Sequence, residues 1–225
     1  MQPSVVFGGS LRALVVSRQI GMGVARPRDI DIVVDCDDVA RIKPLFSDMQ
    51  VRTNRFGGLQ VDGGGWQFDI WRLRDTWAFK EGVVASATFE MLPRTTFFNL
   101  EAIALDVWAP AKGSRRLYLG DGQFVAGVLG RTLELNVEEN PFPALCLARS
   151  FVFANSTGFV IGPRLQVYLR KHRDAVSRRD FLDAQASHYG RIRVDFESFK
   201  TWVDRLAMHQ QTRGPEAALH DRWDS

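Results

Sequence analysis

Short apolar runs cut by glycines and charges fill the first two-thirds of the chain, and three- and four-residue apolar spacing replaces them afterwards. Residues 5–7 form an apolar strand stub that ends at Gly8-Gly9-Ser10, and Ser10 reads as the N-cap of a helix over 11–17. Residues 30–34 are β-branched and compact, as a central strand requires. Asp37 or Asp38 caps a predicted helix running to Phe46. The runs 59–61 and 66–71 flank Asp62-Gly63-Gly64-Gly65 and read as a hairpin. Strands over 103–108 and around 116–119 complete a mixed sheet.

Beyond Glu138 the pattern changes. Pro141 and Pro143 break the chain, and Ala144, Leu145, Ala148, Phe151 and Val152 then recur at helical spacing. Further helices are predicted over 163–176, 179–187 and 196–209. The expectation is an α+β domain at 1–138, a small all-helical domain at 139–210 and a loose tail at 211–225.

Composition narrows the class. The 225 residues are 45% hydrophobic and 24% charged, which excludes a disordered, collagen-like or coiled-coil protein. No apolar run approaches the roughly 18 residues of a membrane helix. The N-terminus lacks a basic segment followed by a long apolar stretch, so no signal peptide and a cytoplasmic setting are expected. Cys36 and Cys146 read as buried packing residues in a reducing compartment. The four histidines show no metal-binding spacing, which argues against zinc.

Charge is uneven. The net +3 arises entirely in residues 164–225, where 12 basic side chains face 9 acidic ones. Arg170, Lys171, Arg173, Arg178 and Arg179 crowd ten positions that hold Asp174 as the sole acid. Such a run is either a solvated helix face or a patch for an RNA phosphate backbone.

The segment Asp29-Ile30-Asp31-Ile32-Val33-Val34 carries the chemistry. Strand alternation puts Asp29 and Asp31 on one face, with Ile30, Ile32 and Val34 directed to the core. Two adjacent carboxylates repel unless a cation lies between them, and oxygen ligands on a rigid strand suit Mg²⁺. Solvated acids on an edge strand are the plainer alternative. The pair Gly8-Gly9, placed between strand and helix, lets backbone N–H groups approach an anion. In Trp66-Gln67-Phe68-Asp69-Ile70-Trp71, alternation sets Asp69 apart from Trp66, Phe68 and Ile70, on the face of Gln67 and Trp71. If that strand lies beside 30–34, Asp69 completes a three-carboxylate cluster; otherwise it faces solvent.

Val6-Phe7-Gly8-Gly9-Ser10 with Arg12, followed by Arg28-Asp29-Ile30-Asp31-Ile32, resembles the signature of polymerase-β-like nucleotidyltransferases. The branch it is most similar to is that of tRNA CCA-adding enzymes and bacterial poly(A) polymerases. Phe68-Asp69-Ile70 through Arg74 resembles the family's acidic strand ending in arginine. Residues 93–102, with Arg94 and Asn99 in place, resemble its Arg-Arg-Asp-Phe-Thr-x-Asn-Ala segment. Glu139-Asn140-Pro141 through Arg149, Phe153 and Gly158-Phe159-Val160-Ile161 resembles the first helix of the neck domain.

The resemblance spans about residues 5–163 in order. It implies a nucleotidyltransferase-type mixed sheet with flanking helices, then a helical neck. It also implies two Mg²⁺ ions (or Mn²⁺) on Asp29, Asp31 and Asp69, which would act as the catalytic carboxylates. Gly8, Gly9, Ser10, Arg12, Arg74, Arg94 and Asn99 would bind an NTP such as ATP.

The implied reaction transfers NMP to a hydroxyl and releases pyrophosphate, with an RNA 3′ end, as in tRNA processing, the leading acceptor. A protein or small-molecule acceptor, or an inactive nucleotide- or RNA-binding module, are the other readings. Departures from the family pattern are clear. Eighteen residues separate Ser10 from Asp29, more than the family places there. Ala13 replaces an acid, and Thr95 and Thr96 replace the basic and acidic pair. Pro143 interrupts the run in which the neck helix normally carries arginine, the Glu-Asp-x-x-Arg element is missing, and no tRNA-gripping body and tail domains are expected.

Overall fold

The computed structural model describes residues 2–21, 23, 26–54, 57–108 and 113–212, with side chains described as far as residue 206. The chain divides into two compact units, Met1–Glu139 and Asn140–Ser225.

In the first unit, β1 (Ser4–Phe7) leads through Gly8 into α1 (Gly9–Gln19). Next come β2 (Ile30–Val34), β3 (Gln50–Thr53), β4 (Leu59–Gly63) and β5 (Trp66–Arg72). The short α2 (Trp77–Lys80), β6 (Ala104–Asp106), β7 (Leu117–Tyr118) and α3 (Gln123–Leu129) follow. These strands form one sheet in the order β3-β4-β5-β2-β1-β6-β7. Only the β2–β5 pairing is parallel within it; the others are antiparallel.

Both sheet faces carry core. Val5, Phe7, Val33, Leu73, Leu92, Ala104 and Tyr118 cluster on one side, with Trp71 packed against them. Val34, Cys36, Val39, Leu59, Val61 and Ile70 cluster on the other, with Ile32 and Phe68. The expected inward face of β2 is therefore half the answer. Val33, on the Asp31 side, is fully buried as well, because a central strand covered on both sides is apolar on both.

One local expectation is corrected. Helix α1 is capped by Gly8 rather than Ser10. The Gly8 φ of +67° turns the chain two residues early, in a region that favours glycine. The helix expected to run to Phe46 is present over Val39–Phe46 and takes the 3₁₀ form. Asp38 accepts a hydrogen bond from Ala40 N at its start, and Pro44 removes a backbone donor inside it.

The second unit contains α4 (Pro143–Thr157), α5 (Pro163–Arg173), α6 (Arg178–Tyr189) and α7 (Phe196–Thr212). Pro143 does not interrupt α4 but opens its first turn, where the missing N–H costs nothing. Helix α4 packs on α6 and α5 on α7, around fully buried Leu147, Leu165, Leu169, Phe181 and Phe199. Gln185 ties the α6–α7 connection: its Oε1 accepts from Arg193 N and Val194 N, and its Nε2 donates to Val194 O. Helix α7 extends to Thr212, so the expected tail loses its first two residues to it; positions 213–225 lie outside the described residues. Both cysteines are free and buried. Among the described residues, no helix is long and apolar enough to cross a membrane.

Candidate active site

Strand register builds the site. Phe7 pairs with Asp31 across β1–β2, Asp31 with Asp69 across β2–β5, and Asp69 with Gln60 across β5–β4. Ala104 pairs with Phe7 on the far side. Directly opposed residues share a face, so one row reads Ala104–Phe7–Asp31–Asp69–Gln60 on the side of the Val33 core. The two acids replace the core where that face opens toward the turn following Phe7. Asp29 immediately precedes β2 at the same end, where Gly8-Gly9-Ser10 leaves β1.

Three carboxylates thus meet a glycine turn. Burial first, then Asp29, Asp69 and Glu101, push the Asp31 carboxyl from 3.8 up to about 7, against a smaller lowering by Arg28. Burial and Asp29 also raise Asp69, while a hydrogen bond from Gln60 Nε2 to its Oδ1 at 3.3 Å opposes the rise. Asp29 is engaged differently: the Arg28 guanidinium donates to its Oδ2 from Nε at 2.9 Å and Nη2 at 2.6 Å.

Among the described residues, no group of three or more His, Cys, Asp or Glu side chains stands ready to hold a metal ion. Crowded carboxylates lower their repulsion by holding a proton more tightly, the direction in which Asp31 is pushed, or by pairing with a guanidinium, as Asp29 does. The donor set nevertheless suits a hard divalent cation, being all oxygen and mutually repulsive. The buried Ser10 Oγ in the adjoining turn also lacks a hydrogen-bond partner.

The other expected residues separate into groups. Gly8, Gly9 and Ser10 form the turn into α1, with Gly8 N donating to Ile103 O at 2.9 Å. Arg12, one turn into α1, is ion-paired with Glu101. Arg74 is exposed on a 3₁₀ turn after β5; the neighbouring Arg72 is the arginine held there, by Asp75 and by Asp37 O. Arg94 is paired with Asp121 beside a cavity of about 390 Å³ that Gln123, Asn136 and Val84 also line.

Asn99 differs from its expected role as a nucleotide contact. It is buried, its Nδ2 donates to Thr132 O at 3.1 Å, and its Oδ1 accepts from Glu134 N at 2.9 Å. The side chain is a bridge between two backbone segments. In the second unit, Arg170, Lys171, Arg178 and Arg179 are exposed. Arg173 is instead half-buried between Asp174 and Asp204, and Arg179 is ion-paired with Asp183, so the basic run is exposed but partly neutralised.

Sequence reasoning missed Arg28, Gln60 and Glu101 as members of this region. For Glu101 a signal existed: a charge inside the apolar run Leu100-Glu101-Ala102-Ile103-Ala104 needs a buried partner.

No protein-family model matches the chain, and no curated protein sequence does. Solved structures do match. A CCA-adding enzyme with CTP superposes at a TM-score of 0.64 with 16% identity, covering 92% of this chain and 48% of its own. A tRNA nucleotidyltransferase complexed with a primer tRNA and an incoming ATP analog gives 0.63 and 15%, covering 93% of this chain and 58% of its own. A tRNA-processing enzyme in an apo form gives 0.65 and 15%, covering 97% and 56%. The chain spans about half the length of these proteins. It shares the fold of these CCA-adding and tRNA nucleotidyltransferase structures, so the resemblance read from the sequence holds at the level of fold.

Proposed function

We propose that the chain is a metal-dependent nucleotidyltransferase that moves NMP from an NTP to a hydroxyl acceptor, with an RNA 3′ end as the acceptor. The carrying observation is the in-register row in which Asp31 and Asp69 stand side by side where β1 ends in Gly8-Gly9-Ser10. The likeness in fold to structures holding CTP and tRNA supports the nucleotide and RNA assignments.

Asp29, Asp31 and Asp69 would hold Mg²⁺, with Asp29 turning from Arg28 to do so. When bound, the cation supplies charge neutralisation at the phosphates. The chain's own groups account for the rest. Backbone N–H groups at the start of α1 and the Ser10 hydroxyl face the outer phosphates, where the helix dipole favours negative charge. Arg12 adds guanidinium donors at the same turn. The acceptor oxygen attacks the α-phosphorus, an O–P bond forms, and the bond to the bridging oxygen breaks to release pyrophosphate. The acceptor proton passes to Asp69, which stands beside Asp31 on the same sheet face. Arg170, Lys171, Arg178 and Arg179 would contact the RNA backbone.

Incubation with each of four labelled NTPs, Mg²⁺ and total RNA tests the proposal. Labelled RNA is the expected outcome. Label on protein or on a small molecule instead would replace the acceptor, and no label on any acceptor would sink the enzymatic reading.

A further inference from the structure

We infer that Glu101 is a positioning residue that fixes Arg12 for the phosphates of the nucleotide, an inference that rests on the nucleotidyltransferase reading above. Glu101 lies on the 3₁₀ turn Asn99–Glu101 and is buried, with only 8% of its surface exposed. Its Oε1 accepts from Arg12 Nη1, joining two residues 89 positions apart in sequence. Arg12 is itself largely covered, its side chain being 24% exposed.

The other end of the guanidinium lies at the glycine turn: a Cβ built on Gly9 would stand 3.9 Å from Arg12 Nη2. The backbone under the turn belongs to the same segment as Glu101. Gly8 N donates to Ile103 O at 2.9 Å, and a Cβ on Gly8 would stand 3.9 Å from Glu101 O. The carboxylate therefore grips one edge of the guanidinium and leaves the other directed at the turn.

An arginine in free solution has many rotamers, and ordering it on binding lowers affinity. A buried carboxylate removes that cost beforehand, and it also keeps the desolvated guanidinium neutralised before any phosphate arrives. A carboxylate placed here purely for packing would be better replaced by an apolar side chain.

The test measures dissociation constants for Mg²⁺-bound ATP, CTP, GTP and UTP by calorimetry. The proteins are the parent, Glu101→Gln, Glu101→Asp, Arg12→Ala and the double variant Arg12→Ala/Glu101→Gln. Melting temperatures are recorded without nucleotide. Glu101→Gln is expected to weaken binding about tenfold, and Glu101→Asp by less. In the Arg12→Ala background, Glu101→Gln should add nothing. If Glu101→Gln does not fold, the loss in Glu101→Asp carries the same expectation. Unchanged or tighter binding by these variants overturns the inference alone, as do effects of Glu101→Gln and Arg12→Ala that multiply in the double variant. Failure of the parent to bind any of the four nucleotides overturns both this inference and the function it rests on.

Discussion

Asp31 and Asp69 are direct register partners across β2 and β5, the one parallel pair in the sheet formed by the described strands. Parallel neighbours bring both carboxylates to the same height and the same face. An antiparallel hairpin could also oppose them, but Asp69 lies on the β4–β5 hairpin and Asp31 on a strand reached through α1. Their meeting depends on β5 returning past β4 to pair with β2.

Under the proposed function, that pairing would make the acids interdependent in catalysis. Replacing Asp29, Asp31 or Asp69 singly by Asn is expected to lower nucleotide transfer at least about 10²–10³-fold. Chelation of Mg²⁺ should abolish it. Quantified label incorporation checks both, and a variant retaining full rate removes its residue from the catalytic group.

Asp31 also sets a pH dependence. Its folded carboxyl lies near 7 against an ordinary 3.8, so below about pH 4 it is protonated in both states and folding bears no penalty. As pH rises from 4 to 7 the unfolded chain ionises first, and the metal-free protein loses stability. The melting temperature of Asp31→Asn minus that of the parent should therefore grow across this range, by roughly 5–10 °C. Melts at several pH values in chelator measure the difference; a flat or falling one contradicts the assigned environment.

Asn99 should behave as a structural bridge. Asn99→Leu strands Glu134 N and Thr132 O without their side-chain partner, at about 2–4 kcal/mol of stability. Nucleotide affinity of the folded variant should stay within about twofold of the parent. Denaturant titration and calorimetry separate the two effects, and a large affinity loss would return Asn99 to the binding site.

Gly127 on α3 makes the same bridge possible. A Cβ there would fall 2.2 Å from Asn99 Nδ2 and 3.0 Å from Thr132 O. Since the carbonyl cannot retreat without moving its strand, Gly127→Ala should destabilise by about 1–3 kcal/mol. Combining it with Asn99→Ala should recover part of that loss in equilibrium unfolding.

The basic run of the second unit should divide by partner. Arg170→Ala with Arg178→Ala should lower the slope of log affinity against log salt for RNA by about two. Arg173→Ala should leave the slope nearly unchanged and lower the melting temperature, because Asp174 and Asp204 hold that guanidinium. Binding titrations at several salt concentrations distinguish them.

Much of this was legible along the chain because it is local. Alternation placed Asp29 with Asp31 and set Asp69 apart from its aromatic neighbours, and the glycines between 62 and 66 marked the β4–β5 hairpin. The Ser10 cap failed because a left-handed Gly8 starts the helix earlier, which composition cannot distinguish from any other glycine turn. The helix ending at Phe46 and its Asp38 cap were legible, whereas its 3₁₀ form was not.

The amino-acid sequence by itself determined the strand periods, the helical second unit and the acid types, since each depends on neighbours within a few residues. Tertiary structure decided which distant groups touch. It set Asp69 beside Asp31, gave Arg12 to Glu101 and Asn99 to the 132–134 backbone, and withdrew Arg173 from the surface. Those choices turn on burial and on the cost of an unpaired polar group, and neither exists until the sheet and helices have closed over it.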